Sequence, residues 1–408
     1  MDLNKFDPVS FKVRTHCAIC GRKLDKAVID LPGFPLTEIY VKEKVTKRVG
    51  FVDQEFHLCE NCGHGQLRNI IDPEFLYGAH YSTRTSISPS ASLAIQVFLD
   101  FIDTALKGRK FKTILEIGCN DLYTLQKLRD RADQLFGIDP ILKGREGSFK
   151  DKKIKIFGDL FENISLEDIG CEPDVVLSSH TLEHIGEPKE LIRKLLDRTG
   201  PETLFFFQFP GLEMLVQEGR FDQIHHQHIS YFSLRSVIRM LETLGAELMD
   251  FKMNPYHWGT LMVAFRKKRT KGGNPEEKFK HSIKTISRDL VQQQYQTFKD
   301  CMGIASKRIT ALHHETIYGY GAALMLPVLD YHMQGLRQLK NIIDDDREKK
   351  DLYYLNFPVQ IKLPRQVGDI KDAVIVVTAI NSLETQRAIL RRLIDLKVRQ
   401  ILVPLNLI

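Results

Sequence analysis

Three features are missing from this 408-residue sequence. The N-terminus, MDLNKFDPVS, has no apolar segment of the kind found in signal peptides. No apolar run reaches the ~18 residues that a membrane span requires. Charge of one sign is not concentrated either, because the net charge is only +6 and basic residues are scattered among acidic ones. We therefore expect a cytoplasmic protein that binds neither membranes nor nucleic acid.

The chain is too long for a single hydrophobic core, and its pattern changes along its length. Paired cysteines come first, then alternating apolar strands and helices, then a long polar helix at about 275–314, and last a second, smaller alternating pattern. The four expected segments are 1–75, 76–270, 271–314 and 315–408. The strands predicted in the second segment are 111–117, 135–138, 154–157, 175–178 and 203–209. Such alternation predicts an α/β fold with parallel, Rossmann-like sheets in the second and fourth segments.

Four of the seven cysteines form two C-x-x-C pairs. In a long chain without a signal peptide, paired cysteines favour a metal site over disulfides. Four thiolates form the closed tetrahedral shell of a structural zinc ion and leave no position for a catalytic water. One of three nearby histidines, His16, His57 or His64, could replace a cysteine as ligand. The predicted Zn²⁺ ligands are Cys17, Cys20, Cys59 and Cys62.

A cofactor site is predicted where the strand at 111–117 ends, in the sequence Ile-Leu-Glu-Ile-Gly-Cys-Asn-Asp. Gly118 lets the backbone approach a ligand closely. The next strand ends in Asp139, about 20 residues on, where a carboxylate can accept ribose hydroxyls. This stretch resembles motif I of the class I S-adenosylmethionine (SAM) methyltransferases, although Leu122 stands where that motif usually has glycine.

Later strands extend this resemblance. In the family an aspartate at the end of the third strand, here Asp159, faces the adenine, and residues 174–184 are similar to motif IV. Ligands of open α/β sheets lie at the carboxyl ends of the strands. The predicted SAM-binding residues are Glu116, Gly118, Asn120, Asp139, Asp159, Ser179 and His180.

The order of motifs along nearly the whole chain resembles the sugar C-methyltransferase family, which acts on nucleotide-linked 4-keto-deoxysugars. The matching stretches are the cysteine pairs, Glu116–Asp121, His226–Ser233 and Gly319-Tyr-Gly-Ala322. The resemblance implies that a base removes a proton from the carbon beside the ketone, expected to be C-3, and that the enolate takes the methyl group of SAM. The product would be a branched-chain deoxysugar for a surface glycan or a natural product.

His228 matches the catalytic histidine of that family, and histidine suits the role of general base because its ordinary pKa is near neutral. Two neighbours depart from the family pattern: Gln227 replaces a glutamate, and His225 replaces the tyrosine of some members. Tyr81 falls near an active-site tyrosine of the family, with His80 as the rival position. The predicted catalytic residues are His228, Gln227, His225 and Tyr81.

The family also implies where the sugar nucleotide binds. The hydroxyl-rich run from Ser82 could contact the sugar or its phosphates. The sequence His257-Trp258-Gly259 replaces a usual His-Gly-Gly, so Trp258 is expected to reshape the sugar pocket. For the run from Ser82, a polar loop is an equally open alternative. The last segment would hold the nucleotide, dTDP or GDP, although the stretch around Lys349 is equally well interpreted as a charged surface turn. The predicted substrate-binding residues are Ser82, His257, Gly319, Gly321 and Lys349.

Two other functions stay open. Gln227 also allows an O- or N-methyltransferase that acts on a nucleotide-sugar or another small molecule. A zinc-knuckle nucleic-acid-binding protein that kept a SAM fold would need a basic, aromatic-rich face, and the sequence shows none. The chain is expected to be a monomer or a homodimer.

Overall fold

The computed structural model of the protein describes residues 3–6, 8–76, 84–164, 169–170, 172–268, 278–380 and 383–404. These residues form an N-terminal unit up to residue 76, a central unit from 84 to 268 and a C-terminal unit from 278 onward. Among the helices in these ranges, none is long and apolar enough to cross a membrane.

The N-terminal unit is built from short antiparallel strands. They are β1 (Phe11–Val13), β2 (Ile29–Pro35), β3 (Tyr40–Val41), β4 (Phe51–Cys59), β5 (His64–Leu67) and β6 (Asn69–Ile71). β4 is central and pairs with β2 on one side and with β5 on the other. Phe34 and Phe56 from this sheet are buried in one apolar cluster with Leu215, Val291 and Leu326. The N-terminal unit therefore shares its core with both other units.

The central unit holds a seven-stranded sheet. The short helix α1 (Pro73–Leu76) ends the N-terminal unit. The helices of the central unit are α2 (Pro89–Leu106), α3 (Tyr123–Lys127), α4 (Pro188–Asp197), α5 (Leu212–Gln217) and α6 (Leu234–Thr243). Its strands are β7 (Phe111–Ile117), β8 (Ala132–Ile138), β9 (Ile154–Phe157), β10 (Val175–Ser179), β11 (Leu204–Pro210), β12 (Ser230–Tyr231), β13 (Ala246–Asn254) and β14 (Thr260–Lys267). The order is β13-β14-β11-β10-β7-β8-β9, and β14 is antiparallel to β11 and β13. The strand order reverses between β7 and β10, so a crevice opens at their carboxyl ends.

Continuous apolar runs explain the parallel strands of this sheet. β11 has the sequence LFFFQFP, and six of its seven residues are buried, as expected for a strand covered on both faces. All five strands predicted for this segment are present, two with the predicted bounds and three shifted by one to three residues.

A capped helix fixes the end of the stretch from Phe221 to Ser233, which we call the histidine segment. The Ser233 side chain accepts a hydrogen bond from the backbone N–H of Ser236 at 3.0 Å and begins α6. Two residues of the segment form β12, which pairs with β5 of the N-terminal sheet. The histidine segment is thus held by the N-terminal sheet through β12 and by the central unit through α6.

The C-terminal unit holds a smaller parallel sheet. Its helices are α7 (Arg288–Thr310), α8 (Leu326–His332), α9 (Pro364–Val367) and α10 (Leu383–Asp395). Its strands are β15 (Ile317–Tyr320), β16 (Ile342–Ile343), β17 (Tyr353–Tyr354), β18 (Ile361–Lys362), β19 (Val374–Val377) and β20 (Gln400–Leu402). The order β18-β16-β15-β19-β20 reverses between β15 and β19. β17 pairs with β3 and so joins this unit to the N-terminal one.

The long helix predicted at 275–314 is shorter than expected, because α7 starts only at Arg288. Ser287 has extended backbone and its side chain accepts from the N–H of Leu290 at 3.1 Å, which marks a helix start. The division of the chain into four segments stays a prediction.

A buried ion pair joins the histidine segment to the C-terminal unit. Arg220 donates to both carboxylate oxygens of Asp222 at 2.8 Å and to the backbone oxygen of Ile380 at 2.9 Å. Arg220 is 5% exposed and Asp222 is 1% exposed. Removing one partner of such a pair leaves an uncompensated buried charge.

Arg220→Met should therefore lower the free energy of unfolding by about 3–5 kcal/mol, whereas the double variant Arg220→Met/Asp222→Leu should recover most of that loss. Thermal and denaturant unfolding measure both. Arg193→Met, which breaks an exposed pair with Glu190, is the matched control and should cost at most about 1 kcal/mol. Equal losses in the single and double variants would contradict the argument.

Candidate functional site

The four paired cysteines converge at the turn between β4 and β5. Cys17 Sγ lies 3.6 Å from Cys62 Sγ, and Cys20 Sγ lies 3.5 Å from Cys59 Sγ. All four sulfurs lie within 4.8 Å of one another. Sulfurs that are each about 2.3 Å from a tetrahedral zinc ion are about 3.8 Å apart. The spacing therefore fits a Zn²⁺ ion bound by four thiolates.

Four thiols packed this closely cannot all ionise unless a cation balances their charge. Contact with Cys59 raises the pKa of Cys17 to about 12, and contacts with Cys17 and Cys59 raise the pKa of Cys62, because neighbouring thiolates repel one another. A bound metal ion deprotonates its thiol ligands and removes that repulsion. His57 is engaged elsewhere, since its ring nitrogens lie 2.9 Å from the backbone oxygen of Asp25 and from Glu55.

A cavity of about 1240 Å³ lies where the three units meet. The carboxyl ends of β7, β8 and β10 line one side, the histidine segment lines the middle, and the C-terminal unit lines the other side. All seven residues predicted to bind SAM line this cavity: Glu116, Gly118, Asn120, Asp139, Asp159, Ser179 and His180. The cavity exceeds the roughly 300–1,000 Å³ typical of a single small-molecule site. It has room for a cofactor and a second ligand.

The loop after β7 requires glycine at one position and strains a leucine at another. Gly118 has φ +74°, and a Cβ there would lie 1.9 Å from the Thr181 hydroxyl. Leu122 has φ +67°, a conformation that glycine adopts without strain. The loop thus keeps the backbone shape that a glycine would give, although the residue differs from the family pattern.

Acidic side chains surround the cofactor side of the cavity. Asp139 accepts from the backbone N–H groups of Asn120 at 2.7 Å and Ile141 at 3.0 Å, and a carboxylate keeps further lone pairs for a ligand. Burial raises the pKa of Glu116 to about 8, and its Oε2 has no protein partner. Asp159 accepts from Leu160 N and Asn163, which hold its pKa below the ordinary value. These groups could hold a ligand that carries hydroxyls and positive charge.

Several histidine rings lie close together in the middle of the cavity. The ring of His228 lies 4.0 Å from that of His225, 4.9 Å from that of His184 and 5.2 Å from that of Trp258, between centroids. Burial lowers the pKa of His225 to about 3 and that of His228 well below its ordinary value. These imidazoles are therefore neutral near pH 7 and accept protons or hydrogen bonds.

His226 belongs to the packing of the segment and is not among the residues that line the cavity. Its Nε2 donates to the backbone oxygen of Phe34 at 3.2 Å, so its Nδ1 accepts from the Gln54 amide at 3.2 Å. Both ring nitrogens are satisfied, which is typical of a structural histidine.

Sequence reasoning did not single out Glu183 and His184, which the structure places beside His228. Two histidines and a carboxylate can bind a divalent ion, and these three residues offer ligand atoms within 4.8 Å of one another. However, Glu183 Oε1 lies 4.0 Å from His184 Nε2, whereas ligands about 2.0–2.2 Å from one ion are about 2.8–3.5 Å apart. Glu183 Oε1 instead contacts His180 Nδ1 at 3.2 Å. We interpret the group as an acid–base cluster.

Trp258 lines the cavity in a strained conformation. Its φ is +74°, which is rare for a bulky residue. Its indole stacks on the His257 ring with centroids 4.6 Å apart, and the indole Nε1 is buried without a partner. A donor held in this way is available to a ligand oxygen.

The predicted substrate residues are only partly brought together. His257, Gly321 and Lys349 line the cavity, and Lys349 Nζ donates to the backbone oxygen of Ala322 at 3.0 Å. Gly319 lies inside β15, where a Cβ would meet Thr378 at 3.1 Å. Tyr81 and Ser82, together with the rival His80, lie outside the described residues.

Cys17→Ser should abolish metal binding and destabilise the N-terminal unit, because three thiolates bind zinc far more weakly and structural zinc contributes directly to folding. Elemental analysis should find about one zinc ion per chain in the wild type and almost none in the variant. Cys301→Ser, at an exposed cysteine, is the control. A metal-free variant with unchanged thermal stability would exclude a structural zinc.

Two family matches fall on these sites. Residues 17–77 match a family described as "Putative zinc binding domain", and residues 91–250 match a "Methyltransferase domain". They confirm the predicted zinc centre and the predicted SAM-dependent fold.

Individual relatives are more distant. The C-methyltransferase NovU of Streptomyces niveus is 26% identical over 252 residues, which are 61% of this chain and 60% of NovU. The chain thus matches about three fifths of the length of that relative. Among solved structures, N-methyltransferase NodS of Bradyrhizobium japonicum WM9 with S-adenosyl-L-homocysteine is 13% identical, with a TM-score of 0.34 over 45% of this chain and 89% of NodS. Magnesium protoporphyrin IX methyltransferase of Synechocystis PCC 6803 with bound SAM is 10% identical, with a TM-score of 0.34 over 48% of this chain and 89% of that enzyme.

The zinc-binding match covers the four-cysteine centre, and the methyltransferase match covers most of the seven-stranded sheet. The chain therefore carries a methyltransferase domain that follows an N-terminal zinc-binding domain, the arrangement implied by its resemblance to the zinc-containing sugar C-methyltransferases.

Proposed function

We propose that this enzyme methylates the carbon beside the ketone, at C-3, of a nucleotide-linked 4-keto-deoxysugar. The observation that carries the proposal is the cluster of neutral, buried histidines between the cofactor edge and the C-terminal unit in one cavity. The similarity to a C-methyltransferase supports carbon as the acceptor. The resemblance of the sequence to the sugar C-methyltransferase family supports the substrate class.

The cofactor side of the cavity is assigned to SAM. Asp139 would accept the ribose hydroxyls, Asp159 would face the adenine, and the glycine at 118 would admit the methionine part. Burial raises the pKa of Glu116 to about 8, and a cationic ligand beside it would lower that pKa again, because an opposite charge favours the carboxylate. When bound, SAM supplies an electrophilic methyl group.

The histidine segment would supply the base. His228 takes the proton from the carbon beside the ketone, and the electron pair of that C–H bond becomes the enolate, whose carbon then bonds the methyl group. Trp258 Nε1 is a donor without a protein partner and would hydrogen-bond the developing enolate oxygen. Lys349, on the C-terminal side, would pair with the diphosphate.

Asp139→Asn should weaken SAM binding about 10- to 100-fold, because an amide cannot accept from two backbone N–H groups and two hydroxyls as a carboxylate does. Isothermal titration calorimetry measures the affinity. Asp133→Asn, at an exposed position on the same strand, is the control and should bind SAM normally. Unchanged affinity in Asp139→Asn would remove Asp139 from the cofactor site.

His228→Asn should slow methyl transfer about 10²- to 10⁴-fold, which is the usual contribution of a general base, and leave SAM affinity unchanged. In deuterated buffer without SAM, the wild type should exchange the hydrogen beside the ketone of dTDP- or GDP-linked 4-keto-6-deoxyhexoses, and the variant should not. Mass spectrometry and NMR detect methylation and exchange. His313→Asn, at an exposed histidine, is the control.

Methylation without any exchange of the hydrogen beside the ketone would favour attack by oxygen or nitrogen. An exchange rate in His228→Asn equal to that of the wild type would exclude His228 as the base. Thermal stabilisation by a short oligonucleotide, but not by SAM or dTDP, would overturn the sugar assignment altogether.

A further inference from the structure

The Gln227 side chain is held in one orientation by Thr37 of the N-terminal unit. Gln227 Oε1 accepts from the Thr37 hydroxyl at 2.6 Å, and Gln227 Nε2 donates to the Thr37 backbone oxygen at 3.2 Å. Turning the amide over would set its oxygen against that backbone oxygen, which can only accept. The two contacts therefore fix which end of the amide is the acceptor.

This orientation fixes the proton on His225. Gln227 Oε1 also lies 2.9 Å from His225 Nδ1. An amide oxygen can only accept, so His225 Nδ1 carries the hydrogen. Because the ring is neutral, His225 Nε2 is left with a bare lone pair, and it is buried without any protein partner. A buried acceptor without a partner is unfavourable, so this lone pair is suited to a donor that enters the cavity.

The same residue orients a second histidine. His184 Nδ1 donates to the backbone oxygen of Gln227 at 2.8 Å. Burial lowers the pKa of His184, so this ring is also neutral near pH 7. The ring of His228 lies 4.9 Å from that of His184 and 4.0 Å from that of His225, between centroids, and its own Nδ1 is buried without a partner. A hydrogen on Nδ1 of His228 would leave its Nε2 as the base.

We propose that Gln227, anchored by Thr37, is a positioning residue that locks His225 in the Nδ1–H tautomer, so that the lone pair of His225 Nε2 stays available beside His228 while His228 takes the substrate proton. The part played beside His228 rests on the proposed function, whereas the tautomer of His225 does not. A glutamine at position 227 therefore suits a histidine at position 225. A carboxylate at 227 would favour the imidazolium form of His225, which has no lone pair to offer.

The direct test is ¹⁵N NMR of histidine-labelled protein, with the His225 signals assigned by their loss in His225→Asn. The wild type should show the Nδ1–H tautomer at pH 7, without protonation down to about pH 5, well below the ordinary histidine pKa. Thr37→Val should give a mixture of tautomers, and Thr37→Ser should restore the single form. The Nε2–H tautomer or a mixture in the wild type would overturn the proposal, even if Thr37→Val fails to fold.

Gln227→Glu provides the kinetic test. The carboxylate should raise the pKa of His225 by about 1–3 units, so the acceptor is lost as pH falls through that raised pKa. With a dTDP-4-keto-6-deoxyhexose, the variant should lose rate about tenfold for each pH unit below that raised pKa, beyond any loss in the wild type, because each unit leaves about a tenth as many His225 rings neutral. NMR should show imidazolium at His225 over the same pH range. A neutral His225 in the variant would refute the coupling, whether or not methyl transfer to this sugar occurs.

Discussion

Everything at the reactive centre depends on the docking of the histidine segment against the zinc-supported sheet. Four cysteines close the turn between β4 and β5, and β5 pairs with β12 immediately after His228. The same sheet satisfies both nitrogens of His226, while the adjoining loop satisfies the amide of Gln227. A zinc ion bound by these cysteines would thus support the histidine segment through strand pairing and buried hydrogen bonds.

Burial then sets the charge of the site. Desolvation disfavours imidazolium, which lowers the pKa of His180 and His225 to about 3 each, and it disfavours carboxylate, which raises the pKa of Glu183 to about 7. A centre that is neutral near pH 7 suits a reaction between an anionic carbon and a cationic methyl donor. The anionic carbon and the cationic methyl donor attract each other more strongly when water is excluded. When they combine, less charge remains for the site to stabilise.

Features that depend on residues close together in the sequence could be predicted from it. Apolar runs located the five parallel strands, and C-x-x-C spacing located the zinc ligands, because each signal lies within a few residues. The contacts that orient the histidines could not be predicted in this way. Thr37 is 190 residues from Gln227, and no periodicity links them. Glu183 and His184 carry no pattern of their own, and they matter only because β10 ends beside the histidine segment. The start of α7 was wrong because one capping serine outweighed a continuous polar helical pattern.

Two residues stand where the families that this sequence resembles have glycine, and both keep a positive φ. Leu122 and Trp258 have φ values of +67° and +74°, each of which costs roughly 1–2 kcal/mol for a side chain. Leu122 is 1% exposed, and burying its side chain contributes about 1.5–3 kcal/mol, which offsets its strain within the protein. Trp258 is only half-buried, with its unpartnered Nε1 at the cavity, so packing does not offset its strain to the same degree. Backbone strain that packing does not offset is concentrated at functional sites, which supports the proposed contact between Trp258 and the substrate.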